Sequence, residues 1–244
     1  SAPAPQRYPR RAILVALFVA LAGPLIGVLT LFYLAGGWWN RLRDSSASDA
    51  ISPKCILLFL VLSFAAVTFP ALEIEKWAFR QLRPYERGFG AVVLTAFVTV
   101  ALNEEMFKFL VLRCFAFPRT YFSEHFDGIV YSVMIAMGFA TMENISFANR
   151  FGLETVLLRA FTAVPAHLVF GVVAGYYVGL AKFDHARRRR LLWRGFGISF
   201  LLHGMYDFLI LQNWSDWLPV LATVSLYLCL FYCNDLIKAH LDKS

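Results

Sequence analysis

Charge is what this chain has least of. Only 16% of its 244 residues are Asp, Glu, Lys or Arg and 59% are hydrophobic, where a soluble domain carries about 25% charged residues. That balance excludes an ordinary soluble protein and leaves an integral membrane protein. Polar linkers are short throughout, so no second, soluble domain fits between the apolar runs. The chain reads as one membrane-embedded domain over 1–244, with its motif-bearing part at about 89–212. Ten-residue segments of alternating polarity are missing, which excludes a β-barrel. Paired Gly/Pro-broken spans, the mark of an inverted-repeat transporter, are not evident either. The four cysteines (Cys55, Cys114, Cys229 and Cys233) lie in or beside apolar runs without finger spacing, so neither a metal finger nor a disulfide is expected. No small-residue cleavage site follows the first apolar run, which reads as a retained span.

The net charge is +7, but the cations are spread over several short loops and the only run is RRRR at 187–190. Such a run beside a span marks a cytoplasmic loop facing anionic lipid, so no nucleic-acid partner is expected.

A bilayer core takes about 20 apolar residues per helix. On that measure the candidates are 12–35, 55–72, 89–113, 128–149, 157–181, 195–212 and 217–235. The fold class is therefore all-α, a polytopic transmembrane bundle of about seven spans (six to eight). The charged centre of the third run marks a break or a tilt. The segment 73–87, EIEKWAFRQLRPYER, interleaves charge with aromatics and reads as a short amphipathic helix along the interface. The larger share of Lys and Arg flanks the side holding 182–194. This places the C-terminus in the cytoplasm and the N-terminus outside.

Scarce charge makes its placement informative. An ionisable side chain at bilayer depth costs ~2.5–3.5 kcal/mol, yet the apolar runs hold Glu104, Glu105, Lys108, Glu143, His167, His203 and Asp207. Glu104 and Lys108 are four apart on one helix face, in the favourable order for an ion pair. Glu105 is turned by about 100°, so the two carboxylates are not expected to share Lys108 equally, and one is left for another task. His203 and Asp207, also four apart, suit either a metal or a carboxylate-oriented imidazole. A Glu–Lys pair can be a mere clamp, and His167 beside Pro165 a packing hydrogen bond. Gly171, Gly175 and Gly179 read as close-packing positions, and Met134, Met137 and Phe139 as packing or lipid-facing residues. Together, however, the polar set is cheapest to bury if it meets in one wet cavity.

Such a set can hold a divalent ion, zinc for preference, through His167 and His203 with Glu143 or Asp207, while Glu104 or Glu105 activates water and Lys108 neutralises its partner. Glu and His can also activate water without a metal. Both routes end in hydrolysis, and within a bilayer the plausible substrate is a peptide bond of another membrane protein. Ser132, Ser146 and Ser199 lack a G-x-S-x-G context and Cys114 has no nearby partner, so nucleophilic catalysis is disfavoured. A proton- or metal-coupled transporter and a noncatalytic membrane scaffold are the competing readings.

The motifs also carry a resemblance. EEMFK (104–108), FATME (139–143) and HGMYD (203–207) resemble the E-E-x-x-K, F-x-x-x-E and H-x-x-x-D motifs of the PrsW family of intramembrane proteases. FDGIVYSVMIAMGFATMENISF and HLVFGVVAGYYVG are similar to further stretches of that family. The likeness runs from about Asn103 to Phe208. In the wider superfamily, with the CAAX prenyl-proteases and bacteriocin-processing enzymes, the second motif carries His, so Glu143 places this chain on the PrsW side. The resemblance implies a protease of the bacterial cytoplasmic membrane, cutting membrane proteins such as an anti-sigma factor. It also implies a site made of Glu104, Glu105, Glu143, His167, His203 and Asp207, and leaves metal and glutamic chemistry open.

Overall fold

A computed structural model describes residues 67–82 and 88–241. The expected span at 12–35, most of that at 55–72, residues 83–87 and Cys55 lie outside the described residues. Among those described there are only helices and no strand. In chain order these are α1 (Phe69–Leu82), α2 (Phe89–Ala116), α3 (His125–Phe151), α4 (Leu153–Phe161), α5 (Ala163–Phe183), α6 (Arg188–Leu211) and α7 (Trp217–Leu241). Among the described residues four runs are long and apolar enough to cross a membrane: α2, α3, α4 with α5, and α7. The expected span at 195–212 falls on α6, which begins with Arg188, Arg189 and Arg190 and is too polar to be counted among them.

The boundary expected between a second span and an interfacial helix is not there. Nothing between Leu72 and Glu73 stops a helix, and α1 runs through it with Glu75 buried on its inner side. Nor does α2 break at its charged centre. Asn103–Val111 is regular α-helix, and the departures lie on either side, where Leu94–Leu102 and Leu112–Ala116 wind as π-helix. Such wide turns cluster at functional sites in other proteins.

The central helix is α3. Its apolar window is 83% buried, against 33% for α2 and 28% for α7, so among the described helices α3 forms the core and the other two lie around it. Met134, Met137 and Phe139 are wholly enclosed. Local chemistry sets its ends. Asp127 accepts from the backbone N–H groups of Ser123 (2.8 Å) and Glu124 (2.9 Å), closing a reciprocal cap. At the far end Gly152 takes φ 84°, which an L side chain rarely adopts, and turns the chain into α4. A second joint at Thr162 separates α4 from α5.

Small residues let α3 and α5 touch backbone to backbone. A Cβ on Gly175 would sit 2.5 Å from the Gly128 carbonyl oxygen, and one on Gly128 2.6 Å from that of Gly175. At the opposite end from Gly152, Lys182 donates to the carbonyl of Arg119 (2.9 Å) and His240 Nδ1 lies 2.8 Å from that of His125. The α5–α6 connection, with its arginines, therefore shares one end of the bundle with the end of α7.

Candidate active site

The polar residues of α2, α3, α5 and α6 converge, as the cost of burying each alone requires. Glu104, Glu105, Lys108, Glu143, His167 and His203 are all buried. Glu105 and His203, distant in sequence, meet at 2.9 Å between Oε1 and Nδ1. Lys108 Nζ reaches both glutamates, Glu104 Oε2 at 3.0 Å and Glu105 Oε1 at 2.9 Å. This corrects the expectation that one carboxylate stays clear of it. A lysine ammonium has three donors on a flexible stem, and the i+3 and i+4 neighbours are both within its reach. Nor is Glu105 free on its other oxygen, since Ser199 Oγ donates to Oε2 at 2.6 Å.

The two imidazoles are held alike. Each turns one ring nitrogen to a carboxylate: His203 Nδ1 to Glu105, and His167 Nε2 to Glu143 Oε2 at 3.0 Å. An ionised carboxylate only accepts, so these nitrogens carry protons; on the other side of each ring His167 Nδ1 accepts from Lys108 Nζ at 3.2 Å, and His203 Nε2 faces Asp207 Oδ2 at 3.3 Å and Glu104 Oε2 at 3.8 Å. Glu143 is itself gripped by Arg159 Nη2 at 2.6 Å. Arg159 also donates to Asn144 Oδ1 (2.8 Å) and lies over the Phe147 ring. Phe170 stacks on His203 at 4.7 Å between ring centres, and Phe139 sets its ring edgewise to His167. These contacts leave neither ring free to turn.

One donor atom from each of Glu104, His167 and His203 lies within 4.8 Å of the others. Two imidazole nitrogens and one carboxylate oxygen make the donor set of a catalytic zinc centre, with a place left for water. The carboxylates behind the rings supply the orientation such ligands need. The residues therefore fit a divalent metal. Asp207 Oδ2 is buried 3.3 Å from His203 Nε2, and accepts no hydrogen bond among the described residues. The compact trio thus brings in Glu104, while Glu143 stands behind His167 and Asp207 beside His203.

The site opens into a cavity of about 820 Å³, lined by Glu104, Glu143, His167, His203 and Asp207 and reaching Arg150 and Arg80. Three polar residues of this region escaped sequence reading. Ser199 looked like any helical serine, and Arg159 sits in a short amphipathic turn where a cation is unremarkable. Glu75 was one charge among several in 73–87. Only its spacing from the apolar residues of α1 could have signalled an inward face. It is buried and lines the same cavity as His167, His203 and Asp207.

A buried histidine–carboxylate centre that opens into a large cavity, in a helical membrane protein, defines a membrane-embedded hydrolytic enzyme. Comparison with known proteins makes the class specific: the chain belongs to the PrsW family, matching the model described as PrsW family intramembrane metalloprotease over residues 52–233. It is 34% identical to Protease PrsW of Geobacillus kaustophilus over 201 residues, 82% of each chain. Against Protease PrsW of Clostridioides difficile it is 32% identical over 86% of this chain and 85% of that one. For the Bacillus subtilis protein of the same name the figures are 30%, 92% and 95%. No solved structure matches the chain. The protein is thus an enzyme, a membrane-embedded protease.

Proposed function

We propose that the chain is a metal-dependent endopeptidase of the bacterial cytoplasmic membrane, with Glu104, His167 and His203 as metal ligands and zinc as the metal. The observation that carries this reading is the trio of donor atoms within 4.8 Å at the cavity wall. The metal, when bound, polarises the scissile carbonyl and makes water a nucleophile at neutral pH. The protein's own residues do the rest. Glu105 and Glu143 hold the two rings, and Lys108 and Arg159 neutralise those carboxylates. Asp207, whose Oδ2 lies beside His203 Nε2, takes the proton of the attacking water. The substrate is a membrane-anchored regulatory protein of the anti-sigma-factor kind, presented as an extended segment to the cavity.

The test is a metal assay beside proteolysis of a model single-span substrate. The wild type is expected to hold about one zinc per chain and to lose activity to a chelator, and His203→Ala to lose both metal and activity. Asp207→Asn is expected to keep the metal and lose about 10²-fold or more in rate. A metal-free wild type that cleaves, indifferent to chelators, rejects the metal assignment and leaves the protease.

A further inference from the structure

Peptide hydrolysis needs two proton transfers, one from the attacking water and one to the departing amine. Among the carboxylates of the central cluster, Glu105 accepts from Lys108, Ser199 and His203, and Glu143 is ion-paired with Arg159 and accepts from His167. Neither can give a proton. Glu104 belongs to the metal trio, and Asp207 is the acceptor for the first transfer. One more carboxyl faces the cavity. Glu75 comes from α1, a helix that carries none of the family-like motifs, yet its side chain is buried and lines the same cavity as His167, His203 and Asp207. Its one described hydrogen bond is long, 3.5 Å from Asn103 Nδ2. That amide is already engaged at 2.9 Å with the Ala71 carbonyl, an anchor that fixes α1 against α2 beside Glu104. A buried carboxyl is costly to keep unless it is paired or has a task.

We propose that Glu75 is a catalytic residue of this cavity, the acid that protonates the leaving amine. This rests on the protease reading above. In the step, the peptide C–N bond breaks, and the nitrogen keeps the bonding pair and takes the proton of the Glu75 carboxyl. The carboxylate left behind regains a proton from the one that water surrendered to Asp207, so the cycle closes without a co-reactant. The charged and titratable groups that line the cavity with Glu75 are Glu104 from α2, Glu143 and Arg150 from α3, Arg159 from α4, His167 from α5, and His203 and Asp207 from α6, while Lys76 and Arg80 share its own helix. Among the described residues no Lys or Arg pairs with the buried Glu75 carboxyl, and a buried carboxyl without a cation partner keeps its proton and parts with it only to a stronger base.

The experiment uses the full chain, zinc-loaded in detergent, as wild type, Glu75→Gln and Glu75→Asp. Infrared difference spectra at neutral pH test the proton without any substrate. The wild type is expected to show a protonated-carboxyl stretch that Glu75→Gln lacks, with zinc content equal in both. An unchanged spectrum overturns the proposal, because Glu75 is then ionised. Turnover of the model single-span substrate supplies the second readout. Glu75→Gln is expected to lower kcat about 10²-fold or more at unchanged KM and to flatten the alkaline limb of the pH profile. Glu75→Asp is expected to restore part of the rate. Full activity in Glu75→Gln, loss of zinc, or a raised KM at normal kcat each overturns the assignment. A wild type with neither zinc nor proteolysis but with the infrared band would sink the metalloprotease reading instead, a result distinct from any of these.

Discussion

Lys108 shows how tightly individual residues are constrained here. Its ammonium neutralises two buried glutamates at once, and it lies 4.2 Å from the centre of the Phe139 ring. Lys108→Met strands both carboxylates, so a loss of about 3–5 kcal/mol is expected, seen as poor folded yield and a lowered unfolding temperature in detergent. A stable variant at normal yield would show that the lysine is not structural. Arg159 makes a subtler case, because it meets the metal trio through Glu143, which holds His167. Arg159→Gln is expected to weaken zinc binding about 10–100-fold in a competition titration while the protein stays folded. The sequence disclosed Glu104, Glu105, His167, His203 and Asp207 because each interrupts an apolar run, where charge is expensive. It did not disclose Arg159, Ser199 or Glu75. A charge in a polar segment and a hydroxyl in a helix cost nothing noticeable, so their burial appears only once the helices are packed.

Among the elements, the α3–α5 pair sets the site, since α3 supplies Glu143 and α5 supplies His167. Gly175→Leu would drive a side chain into the Gly128 backbone, part the two helices and separate those partners. It is expected to abolish cooperative thermal unfolding and zinc binding together. Gly197→Ala is the control. A Cβ there meets nothing within 4 Å, and the helix-interior replacement should be neutral or stabilising by up to ~1 kcal/mol. The four-residue spacing of Gly171, Gly175 and Gly179 made this contact legible, because close helix approach has a simple periodic signature. The π-wound stretches of α2 were not legible. Their side chains follow no pattern that separates a turn of five from a turn of four, and the charged centre drew attention away from the residues flanking it.

For the molecule as a whole, the two ends of the bundle differ in kind. One end carries Arg187–Arg190 beside Lys182 and the end of α7, and the other carries Arg150 and the mouth of the cavity. With the arginine run in the cytoplasm, the cavity opens away from it. In a cysteine-free background, a membrane-impermeant maleimide should label Arg150→Cys in intact cells and Arg189→Cys only after permeabilisation. The reverse pattern would overturn the orientation. Helical class and most boundaries followed from apolar length, but α6 shows the limit of that ruler. Its arginines and its site residues lower its hydropathy for two unrelated reasons, anchoring at one end and chemistry towards the other.

The joint at Thr162 bears on how deep the chemistry lies. Run together, α4 and α5 would be about 46 Å long at ~1.5 Å per residue, well beyond a hydrocarbon core of ~30 Å. Turning at Thr162, the chain leaves α5 with 21 residues, about 31 Å, a close match to that thickness. His167 is then only ~6 Å below the start of α5, and Glu143 and His203 are each ~12 Å from the ends of their helices on the same side. A reaction that consumes water is thus staged in the shallow part of the bilayer, where the solvent has a short descent and most of the lipid insulates the opposite face.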